Sequence, residues 1–213
     1  MKQSVVLLHG LMTKSYIMRY LAKKFKTAGY DVHLFDYNSI RYSEQTLAKL
    51  HTLLQSLDNK PVSLVGHSMG GLVIRNYIHH YQKDTTLKSI QSVVTIATPH
   101  YQSLCAHNLA NSLFKKHLGS AGESGLTCDI APWQGNIPMG CIAGLNTSLL
   151  SANFFAIKHR HTGDYDGTVF LREAILENCH DFVTIKGSHT GMLFQANVAK
   201  QCVHFLEKQQ FEK

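Results

Sequence analysis

The hexapeptide Gly66-His67-Ser68-Met69-Gly70-Gly71 constrains this chain more than any other segment. It follows the apolar, β-branched run 62–65 and opens a stretch, from Met69 to about Gln82, that is apolar on most sides. A strand that becomes a helix within two residues needs a very tight turn. Glycines at the first and last positions of G-x-S-x-G remove the side chains that would collide there. The serine between them is expected in a strained conformation, with its hydroxyl above the C-terminal edge of a sheet. The pattern alone would arise by chance in about one chain in ten of this length. Its position between a strand and a helix is what gives it weight.

The rest of the chain supplies the sheet. Apolar runs at 5–8, 32–35, 62–65, 90–97, 139–143 and 182–185 read as strands. Between them lie helical spacings. Ile17, Leu21, Phe25 and Ala28 precede Gly29, and Leu47, Leu50, Leu54 and Leu57 follow Ser43. A last helix carries Val198, Cys202, Phe205 and Leu206. Strict alternation of strand and helix predicts an α/β fold, a mostly parallel sheet of about six strands with helices on both faces. From His100 to Ile137 the alternation breaks down. Leu104, Leu109, Leu113 and Phe114 suggest one helix, followed by a Gly-, Ser- and Asn-rich stretch. A long irregular segment of this kind is expected to be a lid-like insertion in a single domain spanning 1–213.

Composition excludes several classes. Of 213 residues, 44% are apolar and 16% charged, a globular balance. No apolar run approaches the roughly 18 residues that span a bilayer, and the run at 5–8 stops at His9-Gly10, too short for a signal peptide. A cytoplasmic location is expected. Five scattered cysteines suit free thiols in a reducing compartment, and a Cys105–Cys128 bridge would be expected only in an exported protein. The formal net charge of +7 is dispersed, with small clusters at Lys23-Lys24-Lys26 and Lys115-Lys116. It gives no nucleic-acid footprint and admits only weak contact with acidic membrane surfaces. No metal-ligand spacing such as C-x-x-C occurs, so neither metal nor cofactor is expected, and the oligomeric state is not legible.

A serine hydroxyl attacks poorly until an imidazole removes its proton. Of fourteen histidines, His189 follows the strand at 182–185 and precedes the last helix, at the sheet edge where Ser68 emerges. His180 lies at the opposite end of that strand, and His159 and His161 precede the candidate acid. The acid should lie between Ser68 and His189. Asp84, Glu123, Asp129 and Asp181 are placed badly, and Glu173 and Glu177 read as part of a solvated face. Asp164 and Asp166 remain, and Gly167 favours Asp166 by allowing a turn that presents its carboxylate. His9-Gly10-Leu11-Met12 follows the first strand beside the elbow. The N–H groups of Leu11 and Met69 are the expected donors to a developing oxyanion. Leu113, Phe114 and Trp133 are the candidate substrate-binding residues.

The segments Val5-Val6-Leu7-Leu8-His9-Gly10, Gly66-His67-Ser68-Met69-Gly70-Gly71, Thr98-Pro99-His100, Asp166-Gly167-Thr168-Val169 and Ser188-His189-Thr190 together resemble the α/β-hydrolase superfamily, particularly its small bacterial lipase- and esterase-like members. The resemblance implies Asp166 as the acid of a Ser68–His189–Asp166 triad, since the D-G-x-V aspartate has that role there. It implies hydrolysis of a small ester or lipid with an apolar acyl chain, through an acyl-serine and without a cofactor. Thioester, amide or acyl-transfer chemistry on the same triad, and a non-catalytic binding module, are the alternative readings. Tyr101-Gln102-Ser103 stands where lipases often carry Gly-Ser, which points to a different pocket wall.

Overall fold

In strand β1 (Ser4–Leu8) the side chains divide between two cores. Val5 and Leu7 pack with helix α1 (Arg19–Thr27) and the last helix (Ala196–Lys208). Val6 and Leu8 pack with α2 (Glu44–Gln55) and α3 (Met69–His80). Successive strand residues point to opposite faces, so a strand covered on both sides must be apolar throughout. That is why the run 5–8 is apolar throughout. The same division recurs in β3 (Val62–His67), where Leu64 joins the α2/α3 core and Val65 the α1 core.

The computed structural model describes residues 3–57, 60–146 and 163–213. With β2 (Asp31–Phe35), β4 (Ile90–Ile96), β5 (Met139–Leu145) and β6 (Asp181–Lys186), the strands form one six-stranded sheet in the order β2-β1-β3-β4-β5-β6. Every pairing is parallel. The expected α/β architecture is therefore the observed one. The chain first builds outward from β1 to β2, then returns to the other side of β1 with β3. Connections diverge at the C-terminal ends of β1 and β3, the place where open parallel sheets form crevices.

The helix expected through Leu113 and Phe114 is shorter than the apolar spacing implies. Helix α4 spans Leu104–Ala110, and tight 3-10 turns at Lys115–His117 and Gly119–Ser124 follow. Glycines at 119, 122 and 125 and Ser112 favour turns over a continued helix. Leu118, Ala121, Leu126, Trp133 and Ile137 return to the α2/α3 core.

All five cysteines are free thiols, with Cys105 buried and Cys128 exposed, so these two are not paired. No helix among the described residues is long and apolar enough to cross a membrane.

Candidate active site

Ser68 lies between β3 and α3 with φ 53° and ψ −124°, a region of backbone space that non-glycine residues rarely enter. Its N–H donates to Ile96 O at 2.9 Å, and its carbonyl accepts from Gly71 N–H at 3.0 Å and Thr98 Oγ1 at 2.9 Å. Such a conformation persists only where the surroundings over-determine it. A Cβ on Gly66 would sit 2.5 Å from Gly71 N, and one on Gly70 would sit 2.5 Å from Leu8 O. Both contacts are with backbone, so neither glycine tolerates a side chain. Met12 and Ala97, after β1 and β4, also have positive φ, which concentrates backbone strain at one sheet edge.

His189 follows β6 and faces Asp166. Its Nδ1 lies 2.7 Å from Asp166 Oδ2, and its backbone N–H donates to Asp166 O at 2.9 Å. The second carboxylate oxygen, Oδ1, accepts from Thr168 and Val169 N–H, each at 2.8 Å. Asp166 is 1% exposed, and Gly167 has φ +100°, which lets the chain fold back under the carboxylate. A carboxylate fixed this way holds the His189 proton on Nδ1 and leaves Nε2 as an acceptor. Ser68 and His189 line one cavity of about 410 Å³. Among the described residues no hydrogen bond joins their side chains.

Asp164 is exposed and its carbonyl accepts from Leu171 N–H; among the described residues the ion pair of His189 is with Asp166 and not with Asp164. Glu173 corrects the sequence reading. It is 6% exposed rather than solvated, and accepts from Leu104 N–H at 3.0 Å and Phe170 N–H at 3.1 Å. It ties α4 to the loop carrying Asp166, and burial raises the pKa of its carboxyl. His159 and His161 lie outside the described residues.

Leu11 lines the same cavity, and Met69 begins α3 directly after Ser68. Neither backbone N–H is given to an acceptor among the described hydrogen bonds. The loop holding Leu11 is pinned on both sides. Met12 N–H donates to Ser39 Oγ at 2.9 Å, and Tyr37 Oη to His9 O at 2.7 Å. His9 is fully buried and stacked on Tyr37 at 4.4 Å. Its Nε2 accepts from Tyr37 N–H at 3.4 Å, while its Nδ1 contacts Gly10 O at 2.9 Å. That pairing is one of a neutral ring, and burial lowers its pKa.

Of the three candidate substrate-binding residues, only Phe114 lines this cavity, with Leu109, Cys105, Leu126 and Val169. Leu113 is 97% exposed because α4 stops at Ala110 and the next turn directs it outward. Trp133 is 8% exposed and lines a separate cavity beside the end of α3.

His67, next to Ser68 in the chain, is brought against His189. Its Nε2 lies 3.1 Å from the backbone carbonyl of His189, and the two rings are 4.8 Å apart. Burial, and then the nearby His189 ring, lower its pKa to about 3. No sequence pattern links positions 67 and 189; only the sheet brings them together. Among the described residues, no three His, Cys, Asp or Glu side chains converge to hold a metal ion.

The family model for the alpha/beta hydrolase fold matches residues 3–115. Among curated proteins, none matches at the sequence level. The mature form of a Bacillus licheniformis lipase superposes with TM-score 0.73 at 20% identity, over 98% of this chain and 92% of that one. A metagenomic carboxyl esterase gives 0.69 at 17%, over 88% and 64%. Tomato methylketone synthase I gives 0.61 at 14%, over 98% and 99%. At these identities the likeness is one of fold, shared by proteins whose names describe different chemistry.

Proposed function

The chain belongs to the alpha/beta hydrolase fold family, and on that premise we propose that it is a serine esterase or lipase acting on carboxylic esters with apolar acyl groups. The observation that carries this reading is the 2.7 Å His189–Asp166 contact at the rim of the cavity that opens onto Ser68.

In this reading His189 Nε2 takes the Ser68 proton as Oγ attacks the ester carbonyl. The oxyanion gathers hydrogen bonds from Leu11 and Met69 N–H, and the N-terminal end of α3 adds a favourable dipole. Asp166 stabilises the imidazolium without taking its proton. Collapse of the intermediate breaks the ester C–O bond, and His189 protonates the departing alcohol. Water, deprotonated by the same ring, then attacks the acyl-serine and releases the carboxylic acid and free Ser68. The steps use no cofactor. The wall of Leu109, Leu126, Phe114 and Val169 suits an apolar acyl group, and segment 100–137 acts as a partial cover. Free thiols fit a reducing compartment such as the cytoplasm.

The test is labelling with a fluorophosphonate probe together with turnover of p-nitrophenyl esters. Labelling and turnover in the parent chain are expected to vanish in Ser68→Ala, with losses of several orders of magnitude. Near-parental turnover in Ser68→Ala would reject a Ser68 nucleophile.

A further inference from the structure

A second cavity, of about 380 Å³, lies at the other end of α3 and shares no lining residue with the one at Ser68. Met69 and His79 are ten residues apart on α3, so about 15 Å of helix separates the two. This cavity is bounded by the last turns of α3, the short turn at Thr85–Ser89 and residues 131–137.

The wall has an unusual charge arrangement. Arg75 is 5% exposed, and its terminal nitrogens donate to His100 O and Ala131 O, each at 2.9 Å. Its Nε has no partner among the described residues, and no carboxylate there lies within ion-pair distance of it. Trp133 Nε1, the other buried donor on this wall, is also unpartnered. A buried guanidinium whose neighbours are two carbonyls and His100 Nδ1, with no carboxylate, and a buried indole N–H without an acceptor, each cost free energy. Lys83 and Lys88 add exposed positive charge at the wall. The one carboxylate, Asp84, already accepts from Thr86 N–H at 2.7 Å and faces His51. The remaining wall is mixed: His79, Gln82, Gln134 and Asn136 are polar, and Ile78, Leu87 and Ile137 form its apolar part.

We propose that this cavity binds a small organic monocarboxylate, its carboxylate toward Arg75 and Trp133 and its apolar body against Ile78, Leu87 and Ile137. One negative charge balances one buried guanidinium. The site does not depend on the chemistry at Ser68.

Trp133 is the only tryptophan in the chain, so its fluorescence reports on this cavity directly. The experiment titrates hexanoate into Ser68→Ala at constant ionic strength, with hexan-1-ol as the neutral counterpart. A saturable change in Trp133 emission with hexanoate, and none with hexan-1-ol, is expected. Arg75→Gln should weaken binding by about tenfold or more, the usual worth of a charge-assisted contact. Arg75 also ties two loop carbonyls, so folding of this variant is checked by circular dichroism. The exposed pair Lys83→Ala/Lys88→Ala gives a second measure, with an expected weakening of about two- to fivefold. Emission that stays constant, that responds equally to hexan-1-ol, or that gives the parent affinity in the lysine pair overturns the proposal.

Discussion

His67 donates from Nε2 to the backbone carbonyl of His189, 3.1 Å away and 122 residues later in the chain. A carbonyl only accepts, so the His67 proton must be on Nε2. His67 Nδ1 is left as a buried lone pair with no partner among the described residues. His189 is thereby held at its carbonyl by His67, and at its N–H and ring by Asp166. A residue clamped at these points keeps its imidazole in one orientation at the cavity it shares with Ser68.

If His67 positions His189, His67→Ala should lower kcat by about 10–100-fold with little change in KM. His67→Gln keeps an N–H donor of similar reach and should restore most of that loss. Steady-state kinetics on both variants, with melting temperatures alongside, decide the matter. An unchanged kcat in His67→Ala with only a lower melting temperature would reduce His67 to a packing role.

Asp166→Asn should keep the shape of the loop but remove the negative partner of His189, lowering turnover by about 10³–10⁴-fold. Asp164→Asn, an exposed carboxylate, should cost far less. Parallel turnover measurements rank the two, and the reverse order would move the role to Asp164.

Stability should fall as pH drops below 6.5. The folded state holds His67 neutral down to about pH 3, whereas the unfolded chain protonates it near 6.5. Between those values the unfolded state binds more protons, so acid favours unfolding. His9, lowered by burial, acts in the same direction. His67 alone should remove about 1.5 kcal/mol between pH 6.5 and 5. Urea unfolding at these two pH values in the parent and in His67→Gln measures the effect, and equal slopes in both proteins would contradict it.

Phe114 lines the cavity at Ser68, Leu113 faces solvent, and Trp133 belongs to the other cavity. Phe114→Ala should therefore shift the chain-length preference for p-nitrophenyl esters, whereas Leu113→Ala and Trp133→Phe should not. Specificity constants across acyl lengths test this, and an unaltered preference in Phe114→Ala would remove it from the acyl wall.

Much of this protein is legible in the order of its residues. Runs such as Val5–Leu8 can be buried on both faces only in a sheet with helices on each side, and G-x-S-x-G between strand and helix admits few backbones. The pairing of Asp166 with His189 follows from two loops expected at one sheet edge, with Gly167 as the local signal. Those features are set by short-range sterics and by the period of apolar residues, which a sequence displays directly. The irregular segment 100–137 is different. Its apolar residues have no fixed period once α4 ends at Ala110, so which of Leu113, Phe114 and Trp133 meets which cavity depends on long-range packing. The same holds for Glu173, whose buried carboxylate is explained only by the backbone N–H groups of Leu104 and Phe170 that converge on it. The His67 contact with His189 arises because β3 and the loop after β6 end at the same edge. Tertiary structure alone decides such contacts, since they join residues whose local sequence says nothing about each other.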